Sequence, residues 1–314
     1  MDILMQVALV AVGLTMLYFG AEWMVRGSVA IANKFRISQL VIGLTIVAFG
    51  TSTPELAVSV SSALQGMSDV ALGNVVGSNI VNIGLILGIA AIISPIVVAR
   101  NVIKKEIPIL IVTSFLLVLI SIDGEISFVD GLILVSGVVA FSTFSYKTSK
   151  KETAVESESA VITQTIAIPK SIFLIGIGLV LLTFGSFVTV ENAVNIAQQV
   201  GLSERIIGLT LVAVGTSLPE LITSVIAAKK GHADLSIGNI VGSNMFNILA
   251  IIGISSTISG ITVNELMWAD YYIMIGFALV LIPIMKTGFV INRKEGVLLF
   301  AGYIAYTVAL ILWR

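Results

Sequence analysis

The chain of 314 residues contains no cysteine, one histidine, six prolines and only 11% charged residues. Without cysteine there are no disulfides and no thiolate metal sites, so oxygen ligands are the metal chemistry left to it. The scarcity of charge excludes a soluble domain of this length, which typically carries about 25% charged residues. A basic n-region and a small-residue cleavage site are both missing around the first apolar run. That run is therefore expected to stay as a membrane span and not to be removed as a signal peptide.

What is present is apolar: 57% of the residues are hydrophobic and the mean hydropathy is +1.08, the composition of an integral membrane protein. Segments of roughly 20 apolar residues, enough to span, fall near 4–27, 38–64, 70–95, 106–122 and 127–146. A second set falls near 171–198, 204–228, 235–259, 268–285 and 295–313. The expected fold is all-α, with ten transmembrane helices. With the N-terminus placed outside, all of the 17 Lys and Arg fall on the inner side except Arg205 and Arg314. That distribution follows the positive-inside rule and supports the span count. The expected domains are a first five-helix half (1–146), a flexible cytoplasmic linker (147–170) rich in Ser, Thr, Glu and Lys, and a second five-helix half (171–314). An odd number of spans per half makes the second half enter from the opposite side. Inverted repeats of this kind mark secondary transporters.

The halves repeat in sequence as well. AFGTSTPEL at 48–56 returns as AVGTSLPEL at 213–221, and the same offset of 165 residues relates Ser38 to Ser203, Gly73 to Gly238, Ser78 to Ser243 and Asn82 to Asn247. Each copy places a glutamate, Glu55 or Glu220, inside an apolar run, where a carboxylate marks a functional site. On a helix Ala48, Thr51, Ser52 and Glu55 share one face, as do Ala213, Thr216, Ser217 and Glu220. Pro54 and Pro219 cannot donate to the carbonyls of Gly50 and Gly215, so both helices should break there and free carbonyls for a cation. Asn74, Ser78 and Asn82, and likewise Asn239, Ser243 and Asn247, form polar stripes that can face the glutamate helices. Gly73, Gly77, Gly238 and Gly242 have the small-xxx-small spacing of close helix approach.

Carboxylates, carbonyls, hydroxyls and amides are hard ligands that suit Ca²⁺, Na⁺, Mg²⁺ or Mn²⁺. Two glutamates call for two positive charges. One Ca²⁺, with its flexible shell at about 2.3–2.6 Å, several Na⁺, or two protons would each supply them. A bare site would bury both charges unpaired at several kcal/mol each, which makes an exchanger of the carrier. A channel normally builds its rings from symmetric subunits, and the spans hold no paired aspartates or Ser/His set for an intramembrane hydrolase. Glu22, Glu191, His232 and the linker residues Glu152, Glu156 and Glu158 read as interfacial or solvated. Trp23, Trp268, Tyr271, Tyr272 and Trp313 read as interface anchors.

The paired GTSxPEL and GNxxGSNxxNI segments resemble the α-repeats of the cation/calcium antiporter superfamily, in particular its prokaryotic sodium/calcium exchangers. The resemblance covers nearly the whole chain. It implies that Glu55 and Glu220 bind Ca²⁺ with main-chain oxygens of Thr51 and Thr216. Ala48, Ser52, Ser78, Ala213, Ser217 and Ser243 would complete flanking Na⁺ sites, with Asn82 and Asn247 at the centre. Some relatives carry Asp where Asn247 stands, so no potassium requirement is expected. The family exchanges about three Na⁺ for one Ca²⁺ by sliding the first and sixth helices across the others. The GN…E pattern of the proton/calcium branch is not matched, although an H⁺-coupled antiporter remains the alternative reading. Ca²⁺ and Na⁺ would be transported ions, with no organic cofactor. The bilayer would be the only evident partner, with no nucleic acid and no obligate protein. A multi-pass plasma-membrane location with extracellular termini is implied.

Overall fold

In hydrocarbon no water completes the backbone's hydrogen bonds, so an apolar chain satisfies each N–H and C=O within its own helices. The computed structural model describes residues 3–156, 166–201 and 213–313 and is built almost wholly of helix. The first half comprises α1 (Ile3–Phe35), α2 (Gln39–Thr51), α3 (Thr53–Leu64), α4 (Ser68–Ile93), α5 (Ile107–Ile120) and α6 (Phe128–Glu156). The second comprises α7 (Ile168–Gln199), α8 (Ala213–Thr216), α9 (Leu218–Lys229), α10 (Ala233–Ile258), α11 (Met267–Lys286) and α12 (Arg293–Trp313). Among the described residues seven helices are long and apolar enough to cross a membrane, and the pair α2 and α3, bent by 49°, makes an eighth span. The span expected at 106–122 is α5, preceded by a π-helical turn at Val102–Glu106. The span expected at 204–228 contains α8 and α9, and its first residues, like Ser203 and Arg205, lie outside the described segments.

One boundary moves. Helix α6 continues to Glu156, ten residues beyond the expected end at 146, so the first part of the expected linker is helical. No Gly or Pro stands between Gly137 and Pro169 to stop it, and charged residues beyond the bilayer do not oppose a helix. Residues 157–165 of the linker lie outside the description.

Four two-residue strands show that the halves are inverted. β1 (Ile96–Val97) and β2 (Glu125–Ile126) flank α5, so they lie at opposite ends of that helix. The repeat mates of β1 and β2, 165 residues on, are β3 (Ile261–Thr262) and β4 (Val290–Ile291). β1 pairs antiparallel with β4, Ile96 opposite Ile291, and β2 pairs with β3, Ile126 opposite Ile261. Each strand therefore pairs with the mate of the strand at the other end of α5. That is possible only if equivalent loops of the two halves emerge on opposite faces.

Helices α1 and α7 form an antiparallel pair sealed by glycine. Gly13, Gly20 and Gly27 recur every seven residues on α1, as do Ser171, Gly178 and Gly185 on α7, so each set stays on one seam. A Cβ added to Gly20 would lie 2.9 Å from the Gly178 carbonyl oxygen, and one added to Gly178 would lie 2.7 Å from that of Gly20. Backbone cannot yield as a side chain can, so only glycine permits this approach. The remaining helices surround α4 and α10, whose apolar windows are the most buried of the spans.

Candidate functional site

Both central helices break where proline requires it. Pro54 and Pro219 stand in the first turns of α3 and α9, and the joints Ser52 (φ −82°, ψ 10°) and Ser217 (φ −89°, ψ 9°) leave the helical region in the same way. The carbonyl freed by Pro219, that of Gly215, accepts a hydrogen bond from Ser186 Oγ of α7 at 2.6 Å. A hydroxyl from a neighbouring helix thus serves one lone pair of this freed carbonyl. The equivalent position on α1 is Ala21, which has no hydroxyl.

The broken turns bring Glu55 and Glu220 together across the repeat axis, each only 1% exposed. Ser52 Oγ donates to Glu220 Oε1 at 2.9 Å, and its mate Ser217 Oγ donates to Glu55 Oε1 at 2.9 Å. Each glutamate is thus held by the serine of the other half. Ser243 Oγ also approaches Glu220 Oε1, at 3.4 Å. Thr51 is fully buried and its hydroxyl donates to Asn239 Oδ1 at 3.1 Å. Ala48 is buried and its carbonyl accepts Ser52 N–H at 3.0 Å. Thr216 is buried at the end of α8, whereas the Ala213 side chain lies outside the described residues.

The second oxygen of each carboxylate is different. Glu55 Oε2 and Glu220 Oε2 are buried without a hydrogen-bond partner among the described residues, and so are Ser78 Oγ, Asn82 Oδ1 and Asn247 Oδ1. Asn82 and Asn247 each open a π-helical segment, Asn82–Leu87 and Asn247–Ile252, the kind of widened turn that recurs at functional sites. The first segment packs on α9, which carries Glu220, and the second on α3, which carries Glu55. Buried acceptors without donors are costly to a protein. Five of them on interlocking helices make a surface complementary to positive charge. Among the described residues no group of three or more His, Asp or Glu occurs, so the charge here resides in two glutamates and the other donors are neutral.

The polar stripes divide their work in a way that spacing did not show. Asn74 Nδ2 donates to Ser59 Oγ at 2.8 Å and to the Glu55 carbonyl at 3.2 Å, and Asn239 Nδ2 donates to Ser224 Oγ at 2.9 Å and to the Glu220 carbonyl at 3.5 Å. The first stripe residue therefore braces the turn that holds the glutamate. Ser59, Ser224, Asn79 and Asn244 were not singled out in sequence. Asn247 Nδ2 donates to Asn79 Oδ1 at 3.0 Å, and Asn79 Nδ2 reaches the Asn244 carbonyl at 3.4 Å. Their signal was present, because Ser59 and Ser224, like Asn79 and Asn244, obey the 165-residue offset. A Cβ on Gly238 or Gly242 would meet α2 at 2.5 or 2.7 Å, so the small-xxx-small spacing of the second copy serves close helix approach. The segment that would face Gly73 and Gly77 in the same way, the mate of α2, lies mostly outside the described residues.

The family model for sodium/calcium exchanger protein matches residues 5–147 and again 170–312, one match per half. The chain belongs to the sodium/calcium exchanger family. A sodium/calcium exchanger, MaX1 of Methanosarcina acetivorans, is 32% identical over 95% of this chain and 96% of its own. A putative antiporter, CaxA of Alkalimonas amylolytica, is 39% identical over 95% of this chain and 96% of its own. In solved structures the sodium-calcium exchanger NCX_Mj, soaked with Na⁺ and Sr²⁺, superposes with a TM-score of 0.85 at 33% identity, all of both chains being covered. The protein is a multi-pass membrane antiporter of Ca²⁺ and a second cation.

Proposed function

We propose that the antiporter exchanges Na⁺ for Ca²⁺ by alternating access, with about three Na⁺ moved per Ca²⁺ and net charge carried. The observation behind this reading is the pair of unpaired carboxylate oxygens, Glu55 Oε2 and Glu220 Oε2, buried beside unpaired neutral oxygens. In it, Ca²⁺ is held by Glu55 and Glu220 with the main-chain oxygens of Thr51 and Thr216, and its two charges match the two carboxylates. Ala48, Ser52, Ser78, Ala213, Ser217, Ser243, Asn82 and Asn247 supply neutral oxygens for Na⁺. Protons would neutralise the glutamates as well, but they need no hydroxyl or amide shell, and the shell here is extensive.

The test is transport into proteoliposomes. A Na⁺ gradient directed outward is expected to drive ⁴⁵Ca²⁺ uptake. Since about three Na⁺ leave for each Ca²⁺ that enters, one net positive charge leaves the vesicle, and an inside-positive potential is expected to speed uptake. Uptake driven equally well by a pH gradient without Na⁺ would establish proton coupling instead, and uptake needing no counter-ion would establish a channel.

The same reading places the protein in the plasma membrane with both termini outside and the linker between the two halves, 147–170, in the cytoplasm. The distribution of Lys and Arg supports this, and the absence of native cysteine makes it simple to check. A cysteine introduced at Ser157 is expected to react with an impermeant maleimide only after the cytoplasmic face is opened, and labelling of intact cells at that position would refute the orientation.

A further inference from the structure

We propose that Asn239 is a positioning residue that ties the two halves of the ion site together, an inference that rests on the ion-site reading above. An amide is suited to this task because one planar group offers both an acceptor and two donor hydrogens. The Glu220 carbonyl can only accept, so the atom facing it is Nδ2, and Oδ1 is turned to Thr51. On that side Asn239 holds the first half: Thr51 Oγ1 donates to Oδ1 at 3.1 Å. On the other it holds the second half: Nδ2 donates to Ser224 Oγ at 2.9 Å and reaches the Glu220 carbonyl at 3.5 Å. Asn239, Thr51 and Ser224 are all fully buried, so water does not compete for these bonds.

The consequence for a cation lies in where the Thr51 turn is held. The Thr51 hydroxyl also lies 3.4 Å from the Ala48 carbonyl and 3.5 Å from Ser243 Oγ, and the bond to Asn239 is the shortest of these three. Through it the broken turn that carries Thr51, with its main-chain oxygen, is fixed against the turn that carries Glu220. The mate residue Asn74 repeats the brace on its own glutamate turn. Asn239 therefore sets the geometry of ligands in both halves without itself being a ligand.

The experiment measures Ca²⁺ binding and transport together. In Asn239→Ala the half-saturating Ca²⁺ for stabilising the detergent-purified carrier, and for exchange in vesicles, is expected to rise about tenfold, the worth of one or two buried hydrogen bonds. Ser224→Ala, which removes one partner, is expected to shift it in the same direction by less, and it carries the test if Asn239→Ala does not fold. Because Asn239 acts on Thr51 through one bond, the double variant Asn239→Ala with Thr51→Val is expected to be no worse than the worse single variant. A purely structural asparagine would lower the ion-free melting temperature and leave the half-saturating Ca²⁺ unchanged, and that result would overturn the inference. Multiplying effects in the double variant would overturn the bridge to Thr51. If the unaltered carrier itself shows no Ca²⁺-dependent stabilisation, the ion-site reading fails and this inference with it. If it does and Asn239→Ala or Ser224→Ala matches it, only the role of Asn239 is lost.

Discussion

Glu55→Gln and Glu220→Gln are each expected to reduce Ca²⁺ exchange by two to three decades while leaving a folded carrier. The glutamine keeps an oxygen where Ser217 or Ser52 donates, so the hydrogen bond that joins the two halves survives. What is lost is one negative charge of two. A dehydrated Ca²⁺ then carries one uncompensated charge in a buried site, at a cost of about 3–5 kcal/mol, and each 1.4 kcal/mol is about tenfold in affinity. The measurement is initial ⁴⁵Ca²⁺ uptake per folded carrier, with elution profile and melting temperature as the control for folding. Near-normal uptake in either variant would remove the two glutamates from the site. A misfolded variant would show instead that the carboxylates hold the structure together.

Gly178→Leu is expected to be the most damaging single change away from the ion site. The α1/α7 seam leaves no room for a Cβ, since the atoms it would meet at 2.7–2.9 Å are the Gly20 carbonyl oxygen and the Met24 amide nitrogen. Van der Waals packing and not the hydrophobic effect holds helices together in lipid, so forcing this pair apart forfeits contacts along its whole length. Overpacking typically costs about 1–3 kcal/mol, and a seam of backbone against backbone lies at the upper end. Gly176→Leu is the control: it is on the same helix, exposed, and has nothing within 4 Å of an added Cβ. The melting temperature of the purified carrier should fall for Gly178→Leu and hardly move for Gly176→Leu. Equal melting temperatures would mean that the seam is not what joins α1 to α7.

Much of the architecture was legible because the information is one-dimensional. Apolar runs, the sides on which Lys and Arg gather, and an offset of 165 residues can each be read along the chain, and the reciprocal pairing of Ile96 with Ile291 and Ile126 with Ile261 agrees with the inversion they imply. The breaks at Ser52 and Ser217 were legible because Pro54 and Pro219 act on the carbonyl four residues back, a local rule. Helix α6 runs ten residues past the apolar span expected at 127–146, because hydropathy marks where a membrane stops, not where a helix does.

The sequence by itself determined that the chain is a membrane protein of two inverted halves, and which two carboxylates lie deep in it, because burying charge in an apolar run is too costly to be incidental. Only the tertiary structure decided how those halves share their polar groups. Ser52 serves Glu220 and Ser217 serves Glu55, 168 and 162 residues away. Ser186 takes the carbonyl that Pro219 frees, and Asn239 reaches into both halves. A hydrogen bond across a helix interface depends on how closely and at what angle two helices cross. Spacing along either helix limits which residues share a face, but not which face meets which.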